Sequence, residues 1–97
     1  MATGTIPKII YKDYGNAATS LSAGTIGTYA TAPNTSVAVT GRKPIGAVLI
    51  AYGHPGYYHC TPVLDIDGNT LHFVFYRASS SAYSVTADDV KVRVFYE

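Results

Sequence analysis

The last strand-like segment of the chain alternates apolar and polar side chains. Between Val90 and Tyr96 the even-numbered positions are Val or Tyr, whereas Lys91 and Arg93 occupy odd positions. Because successive side chains of a strand point to opposite faces, this period of two predicts a half-buried β-strand. Phe95 is the one residue that interrupts its polar face.

An Asp-Gly pair at residues 67 and 68 lies between two apolar runs. Gly and Asn tolerate the positive φ of tight turns, so the segment Ile66 to Leu71 predicts a β-hairpin. Its outgoing arm, Leu71 to Tyr76, carries Phe73 and Phe75 on one face and further apolar residues on the other. This arm is predicted to be a central strand or a strand at a subunit contact.

Ile45 to Tyr52 is a nearly unbroken apolar run, bounded by Pro44 and Gly53. Its length and its β-branched residues favour a buried strand over a helix. We expect this strand to cross the middle of the core.

The remaining segments carry weaker patterns. Strands are predicted at 36–40, at 27–31 and near 6–11, with a turn at Pro33-Asn34. The small and polar segment from Tyr11 to Ser22 is predicted to be a connector with room for a single helical turn.

The fold class predicted from these segments is all-β. The chain has 9 Tyr, is poor in strong helix formers and shows no long 3.6-residue period. About seven short strands predict an antiparallel β-sandwich of Greek-key or jelly-roll type, with a small barrel as the alternative. Ninety-seven residues form a single domain, 1–97, in which 1–20 supply an N-terminal strand and a connector.

Composition and charge narrow the classes of protein. Hydrophobic residues make up 47% of the chain and charged residues only 13%, about half the usual fraction, so we expect a domain that buries a core and not a disordered tail. The formal net charge is +1 without a basic run, so we expect no nucleic-acid partner. We also expect no membrane insertion, because no apolar run approaches about 20 residues, and no signal peptide. No internal disulfide is expected, because the chain has one cysteine.

The titratable residues do not form a recognisable catalytic or metal-binding motif. His59 and Cys60 are adjacent, so a strand would send them to opposite faces, and no zinc spacing is present. We therefore predict no catalytic residue, no metal site and no cofactor, with Cys60 as a small buried hydrophobe. The alternatives are a nucleophilic Cys60 paired with a histidine, and a carboxylate pair of Asp65 and Asp67 for acid/base chemistry or calcium.

A tyrosine-rich turn from Tyr52 to His59 is the predicted binding site. Tyrosine offers a flat apolar ring and a hydroxyl at low entropic cost, which suits recognition of a sugar or a protein. The alternative is that these rings pack in the core or between subunits. A second surface is also predicted, to which Tyr76-Arg77 and Tyr83 could contribute. The candidate binding residues are Tyr52, His54, Tyr57, Tyr58 and His59.

Four segments together resemble a known group of domains. They are Leu21-Ser22-Ala23-Gly24-Thr25-Ile26-Gly27-Thr28, Gly41-Arg42-Lys43-Pro44-Ile45-Gly46, Phe73-Val74-Phe75-Tyr76-Arg77-Ala78 and Val92-Arg93-Val94. Over residues 20–97 the chain resembles the small β-rich domains that end tail-fibre and minor structural proteins of phages and prophages of gut Firmicutes. The resemblance implies a virion part, commonly trimeric, that contacts a host-surface glycan or protein at the fibre tip. It implies no catalytic residue.

The sequence indicates three candidate functions. The first is a non-enzymatic phage structural domain that assembles as a homo-oligomer and presents loop tyrosines to a receptor. The alternative is a carbohydrate-binding module formerly attached to a hydrolase, with the same loop stacking on sugar rings. The third is an enzyme that uses Asp65 with a histidine.

Overall fold

The computed structural model describes residues 10–53, 58–65 and 69–97, and for Tyr58 the backbone alone. The described residues form strands and turns and contain no helix. This confirms the all-β prediction, and these residues alone contain nine strands where about seven were expected for the chain. The strands are β1 (Ile10–Gly15), β2 (Thr19–Leu21), β3 (Tyr29–Thr31), β4 (Thr35–Ser36), β5 (Pro44–Tyr52), β6 (Tyr58–Asp65), β7 (Thr70–Arg77), β8 (Tyr83–Val85) and β9 (Val90–Tyr96).

The strands pair into two main antiparallel sheets. In the first, called the β9 sheet, the order is β1-β9-β5. In the second, called the β7 sheet, β7 is central, with β6 on one side and both β3 and β4 on the other. β2 and β8 form a separate short pair. The described strands are consistent with a β-sandwich and do not close into a barrel.

The core lies between the two central strands. Leu71, Phe73 and Phe75 of β7 are fully buried. All four apolar side chains on the inner face of β9 are also fully buried, which confirms the alternation seen in the sequence. Burial of one large apolar side chain contributes about 1.5 to 3 kcal/mol, so these two strands supply much of the stability. The remaining core residues are Leu21, Ala32, Val37, Cys60 and Val85.

The predicted hairpin is confirmed by its arms. β6 and β7 pair antiparallel from Tyr58 opposite Arg77 to Asp65 opposite Thr70. The Asp-Gly turn itself lies outside the described residues. Asn69 at its end has a φ of 49°, a left-handed conformation that Asn tolerates.

The predicted connector from Tyr11 to Ser22 is wrong. This segment contains β1 and β2, and no helical turn is present in it. β1 pairs with β9 along its whole length, from Ile10 opposite Tyr96 to Gly15 opposite Lys91. Main-chain hydrogen bonds to β9 hold β1 in strand form, with Tyr11, Lys12 and Asp13 exposed and with Ile10 and Tyr14 packed against the core.

The predicted central position of the Ile45 to Tyr52 segment is also wrong. The segment is a strand, but β5 lies at the edge of the β9 sheet, where β9 is its strand partner. Most of its residues are exposed or half-buried. An unbroken apolar run shows that a strand is apolar on both faces, and it does not show that both faces are covered.

The predicted strand at 36–40 is shorter than expected. β4 ends at Ser36, and the buried Val37 that follows donates its N–H to the Asn69 carbonyl at 2.9 Å. A turn then closes with a hydrogen bond from Arg42 to the Val39 carbonyl and with Gly41 at a φ of 74°, which glycine adopts without strain. In the described part of the chain no helix could span a membrane.

Candidate interaction surfaces

The structure divides the predicted tyrosine-rich site. His54 and Tyr57 lie outside the described residues, and so does the side chain of Tyr58. Tyr52 lies opposite Val90 on the inner face of β5 and packs against the core, where burial raises the pKa of its hydroxyl to about 12. His59 is exposed on the outer face of β6. Tyr52 and His59 therefore belong to different surfaces.

His59 instead joins two tyrosines in a row across the outer face of the β7 sheet, called here the aromatic row. Tyr76 of β7 lies opposite His59 of β6 and opposite Tyr29 of β3. The Tyr29 and Tyr76 ring centroids are 5.6 Å apart with an interplanar angle of 65°. Those of His59 and Tyr76 are 6.4 Å apart with an angle of 30°. Tyr29 is 63% exposed, so the row faces solvent.

Small neutral side chains lie beside the aromatic row. In the next row along the same strands, Thr31 lies opposite Val74, which lies opposite Thr61. Both threonines are exposed and Val74 is half-buried. The two rows together present aromatic faces and hydroxyl groups, and no Asp, Glu, Lys or Arg is among their residues.

Arg77 fixes the loop that carries Tyr29. Its Nη1 donates hydrogen bonds to Thr28 Oγ1 at 2.7 Å and to the Tyr29 carbonyl at 3.0 Å. A side chain on Gly24 would meet the guanidinium, because an ideal Cβ there would lie 2.8 Å from Arg77 Nε. Gly24 and Arg77 come from two of the segments of the family resemblance, and here they pack against each other.

β5 presents an exposed apolar strip, defined as Ile45, Val48, Leu49 and Ile50. Each of these side chains is between 41 and 46% exposed. Val48 lies opposite Arg93, on the outer face of the β9 sheet, whereas Leu49 lies opposite Val92, on the inner face. The strip is therefore apolar on both faces of an edge strand.

A charged cluster lies beside this strip on the outer face of the β9 sheet. Arg93 donates from Nε and Nη2 to the two Asp13 carboxylate oxygens at 2.8 and 3.0 Å. The guanidinium also lies 4.0 Å from the Tyr11 ring centroid. The hydrogen bond from Arg93 lowers the pKa of Asp13, which keeps the pair ionised. These groups neutralise each other at the surface.

The titratable groups predicted to be inert are dispersed in the structure. Cys60 is buried, and desolvation raises the pKa of its thiol to about 11, so it is protonated at neutral pH and a poor nucleophile. Asp65 is exposed at the end of β6, and Asp67 lies outside the described residues. His72 Nδ1 is bonded to Asn34 Oδ1 at 2.9 Å. Among the described residues, no three His, Cys, Asp or Glu side chains are placed to hold a metal ion.

Tyr29 and Tyr76 form a surface pair that could not be predicted from the tyrosine-rich turn. The pair depends on the register between β3 and β7, which are far apart in the chain. Comparison with known proteins identified no relative of the chain. No protein-family model, no curated protein and no solved structure matches the chain.

Proposed function

We propose that the protein is a non-enzymatic structural domain of a phage particle, which assembles with copies of itself and contacts a receptor on the host surface. The assembly part is carried by one observation, the exposed apolar strip on the edge strand β5. The phage part is supported by the resemblance of the sequence to fibre-tip domains, and under this proposal the protein is a component of the virion.

The edge of β5 has only part of the usual protection against pairing. Exposed edge strands of monomeric proteins are commonly short, bulged or charged. β5 has irregular register at two points, yet it runs for nine residues and contains no charged side chain. Within residues 10–53, 58–65 and 69–97 no second strand pairs with β5, so its outer edge and its apolar side chains can accept another polypeptide.

A second copy of this chain is the partner that fits the strip best. The strip is apolar on both faces, so a partner must be apolar too, and a symmetric oligomer brings the same strip from each copy together. The low net charge of the chain leaves little repulsion between copies. Two copies could pair β5 edge to edge, whereas the resemblance favours three copies with the strips around a common axis.

Size-exclusion chromatography with light scattering tests the assembly. We expect a molar mass of two or three times the protomer mass of 10.3 kDa. Ile50→Lys should shift the protein to monomer, because it places a charge in the apolar interface. Ile26→Lys is the matched control, since Ile26 is 60% exposed but lies in the loop before β3, and it should leave the molar mass unchanged.

Two results would overturn the assembly proposal. One is a monomer at high protein concentration, and the other is an oligomer that Ile50→Lys leaves intact. The phage part has its own test, which is mass spectrometry of particles purified after prophage induction in the host strain. The protein should copurify with the particles, and its absence from them would contradict a virion location.

A further inference from the structure

We propose that the aromatic row, Tyr29, Tyr76 and His59, binds an uncharged glycan. This deepens the proposed function, and rests on its receptor-binding part, by naming the surface and the chemical class of the receptor. The site differs from the tyrosine-rich turn predicted from the sequence, of which it keeps His59 alone.

The ring geometry suits a sugar. The Tyr29 and Tyr76 rings meet at 65° and form a corner, while the His59 and Tyr76 rings are tilted by 30° and extend one side of it. A pyranose ring has an apolar C–H face and a rim of hydroxyl groups. The C–H face can pack on one ring of the corner while the rim contacts the tyrosine hydroxyls and the imidazole.

The neighbouring row, Thr31, Val74 and Thr61, supplies polar groups directly beside the three rings. Thr31 and Thr61 are exposed on either side of Val74, directly along the strands from the three rings. Their hydroxyls both donate and accept hydrogen bonds, as sugar hydroxyls do. Two strand spacings, about 10 Å, separate the outer strands of this surface, so it is wide enough to contact more than a single hydroxyl group.

The charge of the surface argues against other ligands that stack on aromatic rings. Single-stranded nucleic acid stacks on such rings, but it also needs cations along its phosphates. The two rows contain none, and the nearby Arg77 guanidinium is bonded to Thr28 and to the Tyr29 carbonyl. Arg77 keeps its positive charge, but its Nε and Nη1 already donate to Ser22, Thr28 and Tyr29, and an anionic glycan would have no counter-charge within the two rows themselves. An uncharged glycan has no such need.

The main chain that carries the rings is also held in place before any ligand arrives. Arg77 holds Tyr29 through its carbonyl, and Gly27 donates to the Arg77 carbonyl at 2.9 Å. Tyr76 lies on the central strand, between both neighbours. Less conformational entropy is lost when a ligand binds side chains whose main chain is already ordered.

Affinity electrophoresis tests the proposal with four uncharged polymers: soluble starch, mannan, galactomannan and hydroxyethyl cellulose. We expect at least one of them to retard the protein, and heparin not to do so. Tyr76→Ala and Tyr29→Ala should weaken that binding at least tenfold. Tyr29→Phe should keep most of it, because it preserves the ring.

Tyr11→Ala is the matched control, since Tyr11 is an exposed tyrosine with an aromatic neighbour on the other sheet. It should leave glycan binding unchanged. Circular dichroism of each variant checks the fold, and amide chemical shifts of the wild-type protein should move around Tyr29, His59 and Tyr76 on addition of the bound polymer's oligosaccharide. That measurement keeps the test decisive if an alanine variant fails to fold.

Three outcomes would overturn the glycan proposal: no retardation by any of the four polymers, retardation by heparin instead, or an equal loss in Tyr11→Ala. Light scattering on the same samples reports assembly separately. A protein that assembles and binds no polymer would refute the glycan site while the assembly proposal stands.

Discussion

Asn16 is a polar side chain buried in the described core, and every polar atom of its amide is bonded. Its Oδ1 accepts a hydrogen bond from the Val90 N–H at 2.9 Å, and its Nδ2 donates to the carbonyls of Ala17 and Thr86 at 2.9 and 3.1 Å. Its main-chain carbonyl accepts from the Asp88 N–H at 2.9 Å. One residue thus joins the end of β1 to the turn before β9.

Asn16→Ala should destabilise the protein by about 1 to 3 kcal/mol, because it leaves buried main-chain groups without their partners. Urea denaturation measures this free energy of unfolding. Asn34→Ala is the control, since its amide makes an exposed hydrogen bond to His72, and it should change the free energy by no more than about 0.5 kcal/mol. Equal effects of the two substitutions would refute the role given to Asn16.

Three buried groups make the fold sensitive to alkaline pH. Desolvation raises the pKa of Cys60 from 9.0 to about 11 and that of Tyr52 from 10.0 to about 12, and it also raises the pKa of Tyr96. The folded protein therefore holds these protons more tightly than the unfolded chain does. The resulting stability is complete below the ordinary pKa values and is lost as pH rises through the raised ones.

The free energy of unfolding should accordingly fall between about pH 8 and about pH 10.5. Urea denaturation at the two values measures the fall. Cys60→Ala should be less stable at the lower pH, because it leaves a small cavity, but its stability should decline less steeply as pH rises. A wild-type stability that is constant over this range would contradict the proposed protonated state of the buried groups.

At the scale of the strand, alternation identified the two central elements. β9 and the inner face of β7 were predicted from side chains alone, because their core residues recur every second position. The opposite faces of His59 and Cys60 followed from the same period. One exposed and one buried side chain at these positions confirm it.

The edge strands β1 and β5 were the elements whose positions in the sheet were not predicted from the sequence. β1 has three exposed residues in its middle and only Ile10 and Tyr14 packed against the core, so its hydrophobic pattern is weak and its pairing with β9 holds it. β5 has a strong apolar pattern, but the pattern is the same for a strand covered by protein and for one that awaits a partner. His59 and Tyr76 were predicted as surface residues separately, but their grouping with Tyr29 was missed, because it depends on a register between distant strands.

At the scale of the whole molecule, the described part of the chain is elongated. Its extents are 60 × 23 × 21 Å and its Cα radius of gyration is 15.9 Å, against about 13 Å for a compact domain of this length. An elongated shape buries a smaller share of the chain's surface in its own core. Contact with other copies along β5 would add to the apolar area removed from water.

If assembly adds to stability, the melting temperature should depend on protein concentration. Unfolding of an oligomer releases separate chains, so mass action raises the melting temperature as concentration rises. Thermal denaturation followed by circular dichroism over a roughly hundredfold range of concentration measures this dependence. Ile50→Lys should melt at a lower temperature that does not vary with concentration, whereas Ile26→Lys should follow the wild type.

The concentration dependence of the melting temperature distinguishes two interpretations of the exposed apolar strip on β5. A strip that merely tolerates solvent would give a wild-type melting temperature that is independent of concentration, and Ile50→Lys would cost little, as is usual for a surface substitution. A strip that is covered in the assembly ties the stability of each chain to that of its neighbours. A flat wild-type curve would therefore show that the fold is complete in one copy, and it would remove the physical basis for assembly through β5.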